Sequence, residues 1–116
     1  MILIIAGSRH LNFKLEDFEK VLKDNNLTPS LIISGGCRGI DSYGEIFALH
    51  NKIPLQRINA DWNGNGKAAG PIRNEKMAKL ADALLLIWDG KSRGSANMKK
   101  NMEDLGKKVY EVIIVS

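Results

Sequence analysis

Apolar and polar residues come in alternating blocks along the chain. Five short runs are almost wholly apolar: ILIIA at 2–6, LIIS at 31–34, PLQRI at 54–58, ALLLIW at 83–88 and VYEVIIV at 109–115. Most of these runs, with little internal alternation, predict strands buried on both faces of a parallel sheet. The segments between them carry helical spacing instead. KLEDFEKVLKDNN places Leu15, Phe18, Val21 and Leu22 on one stripe, and SANMKKNMEDLG places Met98, Met102 and Leu105 on another before stopping at Gly106. IDSYGEIFALHNK and PIRNEKMAKLA supply two more helices, the second with Pro71 in a first turn, where its missing N–H does no harm. Strand and helix in regular succession predict an α/β fold: a single Rossmann-like, doubly wound domain over 1–116, with five mostly parallel strands and helices on both faces. Asn59 to Gly70, NADWNGNGKAAG, fits neither pattern and is read as a loop.

Composition narrows the chemistry. Seventeen Lys and Arg against 13 Asp and Glu give a net charge of +4, which favours anionic ligands without the excess of a dedicated nucleic-acid binder. The longest apolar run has six residues, far short of the roughly 18 of a membrane helix, and no basic segment precedes the first run. A cytoplasmic protein with no membrane partner is therefore expected. One cysteine, Cys37, excludes an internal disulfide, and neither His10 nor His50 stands at a ligand spacing from it, so no metal and no cofactor are expected.

Glycine, serine and arginine concentrate just after the strands. Gly7, Ser8 and Arg9 follow the first, Ser34, Gly35, Gly36, Cys37, Arg38 and Gly39 the second, and Asp89, Gly90, Lys91, Ser92, Arg93, Gly94 and Ser95 the fourth. In open α/β sheets ligands bind at the carboxyl ends of the strands. Glycines there let the backbone approach a ligand, and the amides opening the next helix attract phosphate or carboxylate. Arg38 and Arg73, with Arg9, Lys91 and Arg93, would add charge-assisted bonds. No standard phosphate motif is present: GNGKAAG lacks the spacing of a dinucleotide fingerprint, and GKS at 90–92 lacks a P-loop's first glycine because position 85 is Leu.

The motifs GSR, SGGCRGID, ADW with GKAAGPIRN, and DGKSRGSANM together resemble the YspA/YpsA-related branch of the SLOG superfamily, named for its DprA and LOG members, over nearly the whole chain. The resemblance implies a Rossmann-like domain that binds a nucleotide or nucleotide-derived ligand. The residues it points to are Gly7, Ser8, Arg9, Ser34, Gly35, Gly36, Arg38, Gly39, Asp41, Arg73, Asn74, Asp89, Gly90, Arg93, Gly94 and Ser95. SGGCRGID is similar to a turn of DprA, which implies single-stranded DNA binding as one alternative, a weak one with only 6% aromatic residues. GPIRN and SRGSANM are similar to motifs of LOG phosphoribohydrolases, which implies N-glycosidic hydrolysis as another. The LOG glutamate position is Met98, so hydrolysis would need a substitute carboxylate, for which Asp41, Glu45 and Asp89 are candidates. Relatives of this kind also imply a homo-oligomer, a dimer or larger.

The remaining conspicuous residues have plainer readings. Cys37 is read as a small residue fitting a tight turn, Trp88 as core, and His10 and His50 as ordinary polar residues. Lys99, Lys100, Lys107 and Lys108 are read as a solvated basic face. Trp62 is left open between stacking on a base and anchoring its loop by burial.

Overall fold

In the computed structural model, which describes residues 1–115, each apolar run forms a strand: β1 (Ile2–Gly7), β2 (Leu31–Ser34), β3 (Leu55–Arg57), β4 (Ala83–Trp88) and β5 (Lys108–Ile113). They form one sheet in the order β3-β2-β1-β4-β5, with every neighbouring pair parallel. The helices α1 (Leu15–Asp24), α2 (Ile40–His50), α3 (Trp62–Asn65), α4 (Ala69–Leu80) and α5 (Arg93–Asp104) lie in the connections. This is the Rossmann-like α/β architecture that the blocks of apolar residues predict. Among the described residues no helix is long and apolar enough to cross a membrane.

The period of two along each strand sorts side chains to opposite faces. Leu3, Ile5, Leu85 and Ile87 pack with Phe18 and Leu22 of α1 and Ile40 and Phe47 of α2. Ile4, Ala6, Leu84 and Leu86 pack on the other face with Met77 and Ala78 of α4 and Met98 and Met102 of α5. Because β1 and β4 are covered on both faces, both kinds of position must be apolar, which is why their sequences do not alternate. Trp88 belongs to the second cluster, as expected, and its indole N–H donates to Glu111 at 2.7 Å.

The structure departs from the sequence reading in four places. β3 and β5 are edge strands and are not buried on both faces; β5 starts at Lys108 and ends at Ile113, which is 54% exposed. Asn59 to Gly70 is not a plain loop. Asp61 caps α3 by accepting the Gly64 N–H at 2.9 Å, a 3₁₀ turn follows at Gly66–Ala68, and α4 begins at Ala69, two residues before Pro71. Leu105 leaves the apolar stripe: it stands at the C-cap of α5, after the last helical residue, and is exposed.

The fourth departure concerns the lysines, which do not form a free basic face. Lys99 pairs with Glu111 at 3.0 Å and Lys100 with Asp104 at 2.8 Å, and Lys108 lies over the Tyr110 ring. The Lys107 ammonium donates to the carbonyls of Ala78, Lys79 and Ala81 at 2.7, 3.2 and 2.7 Å, closing the C-terminus of α4. Replacing Lys107 with Met should therefore destabilise the fold by about 1–2 kcal/mol in urea denaturation. A purely solvated lysine would change stability by less than about 0.5 kcal/mol.

Candidate functional site

The strand order reverses between β1 and β4, so the connections leaving these two strands diverge to opposite faces and open a crevice at their carboxyl ends. A cavity of about 230 Å³ lies there. The buried side chains of Ala6, Met77 and Met98 give it an apolar floor. Gly7, Cys37, Asp41, Arg73, Asn74, Gly94 and Ser95 contribute to its walls, and Arg9, His10 and Ser92 complete the lining.

Arg73 is the most connected side chain of the site. It is 9% exposed, and its guanidinium donates from Nη1 to the Gly35 carbonyl at 2.6 Å and from Nε to Asn74 Oδ1 at 2.9 Å. The Asn74 amide donates in turn to Asn97 Oδ1 at 2.9 Å and to the Gly94 carbonyl at 3.3 Å. This chain of bonds runs from the turn after β2, across α4, to the start of α5. Beyond Nη1, the guanidinium stands 3.9 Å from Cys37 Sγ through Nη2, and among the described residues no carboxylate lies within ion-pair distance of it.

Two glycines of SGGCRGID are demanded by this packing. A Cβ at Gly35 would stand 2.8 Å from Arg73 Nη1 and 2.9 Å from Asp41 Oδ2. Gly39 has φ of 78° and would meet the Ser8 and Arg9 carbonyls at 2.5 Å. The turn is glycine-rich first because it is wedged between charged side chains and the neighbouring β1 turn.

The three candidate carboxylates fall into different surroundings. Glu45 lies outside the lining: Ser34 Oγ donates to it at 2.6 Å, and Arg57 grips both of its oxygens. Burial would raise its pKa, but the bonds from Arg57 and Ser34 and the Arg57 charge outweigh this and hold the carboxylate below its usual range. Asp89 organises the turn after β4, accepting the N–H of Lys91 at 2.8 Å and of Ser92 at 3.0 Å, with His10 Nε2 at 3.3 Å. The Lys91 amide above all keeps its pKa low, and against some burial the Ser92 amide and His10 add to that. Asp41 alone of the three lines the cavity. Burial pushes its pKa up to about 6, against the opposing pull of the Cys37 amide, the Arg73 charge and the Gly7 amide.

Of the other sequence candidates, Ser8 and Ser34 are buried and serve the frame. Ser8 Oγ accepts the Asp89 N–H at 3.1 Å and its carbonyl accepts that of Ile40 at 3.2 Å, while Ser34 Oγ accepts from Gly36 at 3.0 Å. Gly36, Arg38 and Gly90 lie in the same turns and Arg93 opens α5, all outside the lining, Arg38 and Arg93 being exposed. His10, Cys37 and Ser92 join the lining although the sequence reading gave them no ligand role. A histidine directly after Arg9 in the first turn was the available signal for His10; its pairing with Asp89 was not visible locally.

No protein-family model matches the chain. It is similar to the Gene 61 protein of Mycobacterium phage D29, 25% identical over 111 residues and covering 89% of both proteins. Among solved structures it is similar to DNA processing protein A (DprA) from Streptococcus pneumoniae, with a TM-score of 0.71 and 22% identity over 95% of this chain. The fold is DprA-like. The chain spans about half of that protein, 49% of its length.

The raised pKa of Asp41 has a consequence for stability. The folded state holds the Asp41 proton to higher pH than the unfolded chain does. The stabilisation is therefore complete below the unfolded value of 3.8 and is lost as pH rises through about 6. Asp41→Asn should remove this dependence. The variant should gain on the native protein between pH 4 and 6, by on the order of 3 kcal/mol at most, when urea denaturation is compared across that window.

Proposed function

We propose that the chain binds a nucleotide or nucleotide-derived phosphorylated small molecule at the carboxyl ends of β1, β2 and β4, as a sensor, carrier or sequestering protein of the kind the SLOG resemblance implies. The observation that carries this reading is Arg73, a buried cation on the cavity wall that among the described residues has no carboxylate at ion-pair distance and feels Asp41 only at longer range. A buried charge without a close counter-ion is costly, and an anionic ligand would supply one in charge-assisted bonds. The twelve-residue α5 opens onto the same cavity at Gly94 and Ser95, so its positive end supports the same choice of ligand. Arg9 and His10 add donor groups to the lining, and Asp41 would accept from a ribose hydroxyl.

Size supports a compact ligand fragment. About 230 Å³ is less than the roughly 300–1,000 Å³ of pockets that enclose drug-sized molecules, so a sugar phosphate fits and the rest of a nucleotide extends past the rim. Single-stranded DNA binding, which the likeness to DprA brings to mind, is less well supported. Lys99, Lys100 and Lys107, which would supply a basic track, are engaged within the fold.

One observation favours hydrolysis as a second reading. Asp41 is the only one of the three candidate carboxylates in the lining, and a carboxyl group titrating near pH 6 suits general acid or base work close to neutrality. It would then stand in for the glutamate that Met98 replaces.

Native mass spectrometry with AMP, NAD, ADP-ribose and cyclic nucleotides tests both readings. Retention of an intact ligand is expected, weakened about tenfold or more in Arg9→Ala with the melting temperature unchanged. If no member of the panel is retained, the binding reading fails, and steeply salt-dependent retention of an oligonucleotide would replace it. Loss of a base from a panel member, abolished in Asp41→Asn, would establish the hydrolase.

A further inference from the structure

Trp62 opens α3, and 54% of it is exposed, making it the largest of the exposed apolar side chains among the described residues. A tryptophan that anchors a loop buries its ring, and this one does not. It is nevertheless held in place. Asp61 accepts the Gly64 N–H on its side chain and the Asn65 N–H on its carbonyl, both at 2.9 Å, closing the turn that carries the ring. The ring edge at Cη2 lies 3.5 Å from where a Cβ on Gly70 would stand, so the indole rests against the first turn of α4.

Arg73 and Asn74 follow Gly70 by three and four residues on the same helix. Residues so spaced share a helix face, and the rise between Gly70 and Asn74 is about 6 Å. Both Arg73 and Asn74 line the cavity. The indole therefore stands about one helical turn before the cavity, on the face of α4 that leads into it. Since α3 follows the carboxyl end of β3 in an all-parallel sheet, the ring is also at the cavity's end of the sheet.

We propose that Trp62 is the shelf on which the base of the bound nucleotide stacks while its sugar phosphate occupies the cavity. The inference rests on the nucleotide reading above and extends it, because the cavity is too small for the whole ligand and the ring stands about one helical turn from Arg73 and Asn74 of its lining. A π-face accepts any base, so the shelf selects for an aromatic base over none and leaves the choice among bases to other contacts.

Calorimetric titration of the native protein, Trp62→Ala and Trp62→Phe with AMP and with ribose 5-phosphate tests this. We expect Trp62→Ala to weaken AMP roughly tenfold or more, Trp62→Phe to recover most of the loss, and ribose 5-phosphate to bind all three alike. AMP, but not ribose 5-phosphate, should also quench the native tryptophan emission. Unchanged AMP affinity in Trp62→Ala, or an equal loss for both probes in a variant that melts like the native protein, would overturn the shelf and leave the cavity reading intact. If the native protein binds neither probe, the cavity reading falls and the shelf with it.

Discussion

Arg73 holds the carboxyl end of the sheet together. Its bond to the Gly35 carbonyl and its contact with Asn74, which reaches Asn97 and Gly94, join the β2 turn, α4 and the start of α5. Burying a guanidinium is unfavourable unless its N–H groups find acceptors, and here backbone and amide oxygens provide them without cancelling its charge. The same residue thus braces the cavity and brings a positive charge to its wall. That double role explains why Gly35 can carry no side chain, since one would press on Arg73 and Asp41 together.

The two buried acids of α2 illustrate how neighbours divide similar groups between frame and site. Asp41 and Glu45 are four residues apart and both nearly inaccessible. Glu45 meets Arg57 and Ser34, is fully satisfied as an anion, and ties α2 to β2 and β3. Asp41 receives backbone N–H groups but has Arg73 only at longer range, so its burial is incompletely offset and its proton is held more tightly. Of the two acids, Asp41 is the one that burial leaves closer to neutrality, beside an arginine in a partly apolar cavity.

The turns around the cavity are stiffened in a related way. Asp89 folds the β4 turn over its own side chain and orients His10, while Ser8 links β1 to β4 and α2. Among the described residues every buried side-chain nitrogen and oxygen has a partner. A ligand would therefore meet walls already in position and forfeit little binding energy to ordering them.

The sheet was legible in the sequence, because continuous apolar blocks mark strands covered on both faces, and so was the gathering of glycines, serines and arginines after three of them, several of which line the cavity. The edge positions of β3 and β5 were not, since the same apolar letters serve a strand with one partner or two. α3 was concealed by Gly64 within it and Gly66 directly after it, although Asp61 at its start was a local capping signal. The division of labour within the turns was equally hidden. Whether Ser34 met a ligand or Glu45, whether Lys107 met solvent or the end of α4, and whether His10 joined Asp89 depended on residues far apart in the chain. Local periodicity determined by itself which segments are strands and helices, because backbone geometry and burial repeat every two or 3.6 residues. Only the tertiary structure decided which polar groups are spent on one another and which are left facing the cavity, because hydrogen bonds and burial are set by neighbours in space.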